Sequence, residues 1–406
     1  MGFPAGASAS GREYPGPDGQ PVGGVVIGGD YQGLGIARSL GRHGIPVCVI
    51  DDETSIARVS RFVGDVVRVR DLRSEASLLD ALEVARRKLG LSGWVLYPTR
   101  EENVAAVAAN RDALLRDFRV PTPGLGSIRH VWDKRETYRL AEQLSIPIPR
   151  TWFPQSEREL TVIDADGPFA VKPAIKEHFF YDTHVKAWRA DGKAELAAVF
   201  RRAAEIAGDG EVIVQELIPG SGSEQYAYCV FFREGHAVAS MTVRRQRQHP
   251  SDFGRASTYV ETISLPELAK PSIRFLQAIG YYGLAELEYK RDPRDGAYKL
   301  LDVNARTWGY HTLGWPAGVD FPYLLFLDQV GARVDEVHAR PGIRWIRLAT
   351  DVPNAMRDIR AGTLRSRDYL RSLRGVDTEA VFSLRDPLPG LYEIALLPYL
   401  AVKRGL

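Results

Sequence analysis

The chain has 406 residues, which is enough for roughly two or three domains that each bury a hydrophobic core. Its 53 Lys and Arg against 51 Asp and Glu leave a net charge of +2, so the composition gives no indication of a nucleic-acid partner. Two cysteines, Cys48 and Cys229, are too few for a disulfide framework, and no metal-ligand spacing of Cys or His predicts structural zinc, so we predict a cytoplasmic protein.

The two ends of the chain have unusual compositions. Residues 1–22 are rich in Gly, Pro and Ser and lack the apolar stretch of a secretion signal, which predicts a disordered leader. The apolar run 391–402 is interrupted by Glu393 and Pro398 and is too short to span a bilayer, so we predict no transmembrane segment. We expect this amphipathic run to pack on the rest of the protein, with contact to a membrane surface as the alternative.

A strand, a glycine-rich turn, a helix and a second strand follow each other from residue 24 to residue 51. Strands continue to alternate with helices up to about residue 120, which predicts a parallel sheet covered by helices over residues 23–120.

The turn after the first strand contains Gly28, Gly33 and Gly35, and Asp51 ends the next strand. This arrangement suggests a dinucleotide site, but the glycines do not follow the G-x-G-x-x-G spacing. We therefore expect either tight packing of the turn or a helix N-terminus that faces a substrate, with Asp30 as a substrate-binding residue.

Three further units follow a Pro- and Gly-rich join at 120–126. Residues 121–210 mix strands and helices and predict an α+β lobe, and residues 211–338 predict a strand-rich lobe that contains an antiparallel hairpin. Residues 339–406 predict a small accessory unit. The predicted fold class is therefore a multidomain protein of α/β and α+β type.

The hairpin carries the strongest chemical signal. Asp302, Asn304 and Arg306 share one face of a strand, and Glu286 and Glu288 share one face of its partner strand. Oxygen ligands of this kind suit Mg²⁺, and an adjacent arginine suits a phosphate. An exposed strand face with cross-strand ion pairs is the alternative interpretation.

Two other elements suit a nucleotide. Lys172 ends a strand, where a lysine can hold a phosphate as a point charge. An apolar strand ends in Glu216, Leu217 and Ile218 before a Pro-Gly turn, where backbone groups can read an adenine edge, and Glu224 follows for ribose hydroxyls. A surface lysine and an edge strand are the alternatives for these elements taken singly.

Together and in this order, the motifs resemble the ATP-grasp superfamily, in particular its carboxylate-amine ligase branch with D-aspartate ligase-like proteins. The resemblance runs from about residue 24 to residue 330 and implies a substrate-binding pre-ATP-grasp domain followed by two lobes that hold Mg²⁺ and ATP between them. It also implies small carboxylate and amine substrates and a homodimer. The site residues it implies are Lys134 and Lys172 for ATP phosphates, Glu216, Leu217, Ile218 and Glu224 for the nucleoside, Glu288, Asp302 and Asn304 for Mg²⁺, and Arg306 for the transferred phosphoryl group.

Two departures from the family pattern concern the site. Asp302 stands where the family usually has Glu, which shortens the reach to a metal. The usual glycine-rich phosphate flap is replaced by 176–184, a segment without glycine. We expect this loop either to fold over ATP or to bind substrate through its aromatic residues, and Lys186 on the strand that follows to supply the missing phosphate contact.

Substrate residues are predicted from two stretches. Arg245 and Arg247 lie at i and i+2 of a strand and are expected on one face, where they suit an anionic substrate; a plain surface strand is the alternative. Arg247 is also a catalytic candidate, together with Lys172 and Arg306. Trp308, Tyr310 and His311 follow Arg306 directly and are candidates to line the acceptor pocket.

The favoured hypothesis is an ADP-forming carboxylate-amine ligase that forms an acyl phosphate before an amide or peptide bond. The alternatives are an ATP-binding regulator or scaffold and a dinucleotide-dependent oxidoreductase. The sequence does not identify the acid, the amine or the oligomeric state.

Overall fold

The computed structural model describes residues 14–15, 19–175, 177–183, 185–208, 210–220, 222–249 and 256–404. Its elements form three sheets, and this mixture of parallel and antiparallel sheets with helices confirms the predicted fold class.

The N-terminal domain is a four-stranded parallel sheet in the order β3-β2-β1-β4. Every residue of β1, β2 and β4 is buried, as expected for strands that are covered on both faces. Its strands are β1 Gly24–Ile27, β2 Val47–Asp51, β3 Asp65–Arg68 and β4 Val95–Pro98, and its helices are α1 Tyr31–Arg42, α2 Glu75–Leu89, α3 Glu101–Ala109 and α4 Arg111–Leu114.

The second sheet is small and antiparallel, in the order β5-β8-β6-β7. Because β8 pairs with both β5 and β6, this sheet extends beyond the predicted boundary at residue 210, which was therefore placed too early. The elements of this region are α5 Leu125–Trp132, α6 Lys134–Gln143, β5 Thr151–Trp152, β6 Phe169–Pro173, α7 Glu177–Thr183, β7 Trp188–Ala190, α8 Lys193–Ala207 and β8 Val212–Glu216.

The third sheet has eight strands in the order β13-β12-β9-β10-β11-β15-β16, with β14 paired to β10. Helices α5 and α6 bury Ile128, Val131 and Ala141 against this sheet and not against the small one. Its elements are β9 Gln225–Arg233, β10 His236–His249, β11 Ala256–Thr262, α9 Ala269–Ala278, β12 Gly283–Arg291, β13 Tyr298–Asn304, α10 Gly314–Ala317, α11 Phe321–Gln329, β14 Val337–His338, β15 Arg344–Ile346, α12 Leu348–Arg360, α13 Ser366–Leu373, β16 Thr378–Glu379 and α14 Leu388–Arg404.

The predicted accessory unit is continuous with the rest of the molecule. Its strand β15 extends the large sheet beside β11, and β16 follows beside β15. A buried ion pair joins the unit to the rest of the chain, since Asp386 accepts from Arg38 of α1 at 2.9 Å. A second buried pair, between Arg347 and Glu393 of α14 at 2.8 Å, lies within the unit.

The end of the predicted leader is ordered. The backbone N–H of Val22 donates to the carbonyl of Tyr14 at 2.8 Å, and the Tyr14 ring contacts the edge of Phe326 at 5.4 Å between centroids. The prediction of disorder is therefore wrong for residues 14–15 and 19–22, while the remaining residues of 1–22 lie outside the described ranges. In the described part of the chain no helix has the length and apolar character needed to cross a bilayer.

Candidate active site

A cavity of about 470 Å³ is lined by residues of the small sheet and of the large sheet. Residues predicted from separate sequence motifs meet in its walls, although they lie up to 168 positions apart in the chain. The predicted residues that line it are Lys134, Lys172, Lys186, Glu216, Leu217, Ile218, Arg245, Glu288 and Asp302.

Lys172 is held at the end of β6 by two hydrogen bonds. Its Nζ donates to the hydroxyl of Tyr138 at 2.6 Å and to Oε1 of Gln215 at 2.9 Å. The buried Tyr138 in turn donates to the carbonyl of Leu301 at 2.6 Å. Tyr138 and Gln215 thus fix the ammonium in position, and sequence analysis missed both because neither belongs to a recognisable motif.

The strand end at Glu216 is tied to the hairpin between β12 and β13. The Glu216 carboxylate pairs with Arg294, which also pairs with Asp292 in the hairpin turn at 2.5 Å. The buried Lys290 donates to the carbonyls of Ile218 at 2.8 Å and Gly220 at 3.0 Å. This segment of the cavity wall is therefore anchored by Lys290 and Arg294, which were not among the predicted residues.

Glu288 and Asp302 are direct neighbours across β12 and β13, and both face the cavity. Lys134 pairs with Asp302. Burial lowers the pKa of Lys134, but the attraction of the Asp302 carboxylate raises it by more, so the lysine stays charged. Lys134 begins α6, where the N-cap Asp133 accepts from the N–H of Arg135 at 2.9 Å.

The chemistry of these oxygens fits Mg²⁺, which favours a pair of carboxylates together with substrate phosphates. Among the described residues no cluster of three or more His, Cys, Asp or Glu side chains is arranged for a metal, so the protein offers two carboxylates here. Asn304, the third predicted ligand, donates its amide to Glu286 at 3.1 Å and Glu288 at 3.0 Å, and its oxygen accepts from Arg306 at 3.2 Å. Asn304 therefore orients the carboxylate of Glu288 and does not line the cavity.

Arg245 carries the positive charge opposite these carboxylates. It is buried and lies 2.8 Å from Glu288 and 3.4 Å from Glu286. Burial alone would raise the pKa of Glu288, but Arg245, Lys186 and Lys134 hold that pKa well below its usual range. Burial and the neighbouring Glu288 raise the pKa of Glu286, so of the two carboxyl groups Glu288 is the one kept ionised.

Arg306 connects this site to the N-terminal domain. Its guanidinium donates to Glu101 of α3 at 2.7 Å and to Asn304 at 3.2 Å. Glu101 lies 205 positions earlier in the chain, and its position in the first turn of a helix gives no sequence signal for this contact.

The pairing of Arg247 with Arg245 on one strand face is wrong. A bulge lies between the two residues, so the alternation of faces is broken and Gln248 lines the cavity beside Arg245. Arg247 instead forms a two-pronged ion pair with the buried Asp351 at 2.8 Å, and its guanidinium lies against the rings of Tyr259 and Tyr369.

Trp308, Tyr310 and His311 do not line an acceptor pocket, because all three are buried in the core between α1 and the large sheet. Tyr310 donates its hydroxyl to Glu286. Burial lowers the pKa of His311 to about 4, and its Nε2 has no hydrogen-bond partner in the described part of the chain. We conclude that His311 is a neutral core residue, and the prediction of a substrate role for these three is corrected.

The turn after β1 does not present a dinucleotide site. The carboxylate of Asp51 is buried and accepts from the N–H of Gly29 at 2.7 Å, so it closes the turn. Asp30 caps α1 by accepting from the N–H of Gln32 at 3.0 Å, which places a negative charge where an anion would bind. Asp30 lines a small cavity of about 30 Å³ that is separate from the large one.

Among the described residues, neither Glu224 nor the segment 176–184 lines the cavity. Glu224 pairs with Arg244 at 3.5 Å, and its neighbours Gly222 and Gln225 line the cavity while Glu224 itself does not. The segment predicted as a loop over 176–184 contains the helix α7, and its Tyr181 donates to Glu102 of the N-terminal domain at 2.5 Å. Lys176 and His184 lie outside the described residues.

Comparisons with known proteins give a relative in sequence and several in fold. No protein-family model matches the chain. It is 22% identical over 298 residues to a D-aspartate ligase of Enterococcus faecium (strain Aus0004), which covers 70% of each chain.

Solved structures share the fold. They include the L-amino acid ligase from Bacillus licheniformis, with a TM-score of 0.60, 15% identity and coverage of 76% of this chain and 74% of that one. The N5-carboxyaminoimidazole synthetase from Staphylococcus aureus has a TM-score of 0.62 and 12% identity, and covers 84% of this chain and 86% of its own. The chain is thus similar in sequence to a D-aspartate ligase and shares its fold with an L-amino acid ligase and an N5-carboxyaminoimidazole synthetase.

Proposed function

We propose that this ligase uses Mg²⁺ and ATP to convert a small carboxylic acid to an acyl phosphate, which an amine then attacks to form an amide or peptide bond. The observation that carries the proposal is the cavity in which Lys134, Lys172 and Arg245 face the paired carboxylates Glu288 and Asp302. A solved structure with this fold, the 2-oxoglutarate carboxylase domain from Hydrogenobacter thermophilus, was crystallised with MgADP.

Each step has residues to perform it. A carboxylate is a poor electrophile until its oxygen carries a phosphoryl group, so phosphoryl transfer from ATP precedes attack by the amine. Lys172 would hold phosphate oxygens, because its Nζ is fixed by Tyr138 and Gln215. Glu288 and Asp302 would hold Mg²⁺, which supplies neutralisation of the phosphate charge. ADP leaves when the phosphoryl group is transferred to the acid, and phosphate leaves when the amine attacks the acyl phosphate.

Arg306 is placed to act at the junction between the domains. Its contact to Glu101 brings it beside the N-terminal domain, which the resemblance assigns to substrate binding. We propose that the guanidinium holds the carboxylate and phosphoryl oxygens together during transfer. The acid and amine are small molecules of the amino-acid class, a choice supported by the name of the Enterococcus relative. A cytoplasmic location and a homodimer stay predictions.

The test is ADP release with Mg²⁺, ATP, pools of carboxylic acids and hydroxylamine as a general amine. We expect hydroxamate from one acid pool, and we expect its loss in Lys172→Ala. Lys193→Ala is the matched control, because Lys193 is exposed on α8 away from the cavity and should behave as the unmodified protein.

Two results would contradict the proposal. ATP binding without ADP release from any pool would indicate a regulatory nucleotide binder, and absence of ATP binding would remove the nucleotide site altogether.

A further inference from the structure

A row of apolar side chains is exposed along α14. The helix turns Gly390 and Glu393 toward the protein, where both are buried. Exposed apolar residues recur on the helix at a spacing of three, and because each is turned by about 60° from the one before, they follow a strip that winds around the exposed side. The exposed residues of this row, which we call the α14 row, are Leu388, Leu391, Ile394 and Leu397, and Leu384 just before the helix is fully exposed.

Basic residues border the α14 row. Arg385 follows Leu384, and the exposed Arg61 donates to its carbonyl at 3.4 Å. Arg385 lies close enough to Arg42 for the two charges to repel. The guanidinium carbon of Arg42 lies 4.3 Å from the ring centroid of Trp315, an indole that is itself 42% exposed.

One acidic residue neutralises part of the border, because Asp320 lies 3.8 Å from Arg42. Asp386 is buried and accepts from Arg38, Ser60 and the backbone of Arg61, so its charge is already paired. Residues 339–406 carry 12 Lys and Arg against 7 Asp and Glu, whereas the rest of the chain carries 41 against 44. The positive charge of the protein is thus concentrated in the unit that presents the α14 row.

We propose that the α14 row docks on the surface of a bilayer that contains anionic lipids, with the helix lying in the plane of the membrane. Leucine and isoleucine side chains would enter the boundary between headgroups and acyl chains, and the exposed Arg385 and Arg61 would meet the phosphates. A second copy of this chain is disfavoured as the occupant, because a symmetric contact would bring the same arginines against each other. The proposal is independent of the ligase chemistry.

The test is flotation of the full chain with phosphatidylcholine vesicles, with and without about 30% phosphatidylglycerol, in low and high salt. We expect binding to the anionic vesicles that falls in high salt, and a loss of at least about tenfold in the double variant Leu391→Ser with Ile394→Ser. Arg385→Glu should weaken binding and reduce its salt dependence. The matched control is Val162→Ser, which removes an apolar side chain that is 73% exposed and lies outside the α14 row, in the region of the small sheet.

Several results would overturn the proposal. The unmodified protein could fail to float with anionic vesicles, or it could float equally well with neutral ones. The double variant could also float as well as the unmodified protein. A dimer in light scattering that the double variant dissociates, without vesicle binding, would show that a second copy covers the row. Unchanged thermal melting and ATP binding of each variant would establish that the variants are folded.

Discussion

Arg306 illustrates how one side chain connects two parts of the site. Its guanidinium reaches Glu101 and Asn304 from one nitrogen, and Asn304 in turn holds Glu288. A lysine at this position keeps the charge but lacks the second guanidinium nitrogen, which donates to the carbonyl of Thr307 at 3.1 Å, and the planar fork that suits carboxylate and phosphoryl oxygens.

We therefore expect Arg306→Lys to lower kcat for hydroxamate formation by about 10²- to 10³-fold, while KM for ATP changes little. Steady-state kinetics with the acid pool found in the ADP assay would measure both constants. Arg333→Lys, on the exposed surface, is the control. An unchanged kcat would rule out the proposed role of the guanidinium.

Arg247 leads to a different expectation, because its partner Asp351 is fully buried. Removal of the guanidinium leaves an unpaired carboxylate in the interior, which costs about 3–5 kcal/mol of unfolding free energy. Arg247→Ala should lose this much in urea unfolding while turnover per folded molecule stays the same.

A second variant separates this effect from catalysis. Arg247→Met combined with Asp351→Leu removes both charges and should recover much of the lost stability. A fall in kcat for Arg247→Ala at unchanged stability would instead restore Arg247 to the catalytic set.

At the scale of elements, the hairpin of β12 and β13 organises the site through its turn as well as through its strands. Asp292 in the turn is buried and accepts from Arg294 at 2.5 Å and Lys299 at 2.7 Å. Hydrogen bonds from Arg294 are the largest cause that lowers the pKa of Asp292 below its usual range. Since Arg294 also holds Glu216, the turn keeps the adjacent cavity wall in place.

This pKa shift predicts a pH dependence of stability. A carboxyl group whose pKa is lower in the folded state stabilises that state above the unfolded pKa of about 3.9, and the effect is lost as pH falls below it. Asp292→Asn should therefore reduce the free energy of unfolding by about 1–2 kcal/mol at neutral pH, a figure reduced because Arg294 is 46% exposed. Urea unfolding at pH 7, 5, 3.5 and 2.5 should show an equal difference between the two proteins at pH 7 and 5 and a difference that narrows at the two lower pH values. A difference that is constant with pH would mean that the Asp292 charge is not the cause.

The elements also show what sequence can predict here. The hairpin is confirmed, because alternation on two consecutive strands is a local pattern, and Glu288 and Asp302 are register partners as that pattern requires. The face of Arg247 could not be predicted, since a bulge shifts register without any change in composition. The helix α7 was expected as a loop because the family pattern has a flap there, although a stretch without Gly or Pro is compatible with a helix.

Contacts between elements that are distant in the chain could not be predicted from the sequence. Tyr138 of α6 meets Lys172 although it belongs to no motif itself, and Lys290 reaches the carbonyl of Ile218 from the strand that also carries Glu288. Such partners become identifiable only when the small and large sheets are brought together around the cavity.

At the scale of the whole molecule, Asp386 forms hydrogen bonds between the C-terminal unit and the N-terminal domain. The carboxylate accepts from Arg38 at 2.9 Å, from Ser60 at 2.7 Å and from the N–H of Arg61 at 3.0 Å. Asp386→Ala should cost about 3–5 kcal/mol in the free energy of unfolding, because Arg38 is left buried without its charge partner. Asp335→Ala, which removes an exposed ion pair with Arg333, should cost less than about 1 kcal/mol in the same urea experiment. Similar losses in the two variants would show that the Arg38 contact is dispensable.

The pair of Arg38 and Asp386 spans 348 positions, and this separation has a consequence for synthesis on the ribosome. The N-terminal sheet is complete once β4 has emerged, so this domain can begin to fold while most of the chain is still untranslated. Until the last segment arrives, the guanidinium of Arg38 lacks its carboxylate and the surface of α1 that meets this segment is open to water. The N-terminal domain therefore reaches its full stability only at the end of translation. Until then we expect chaperones to bind its uncovered surface.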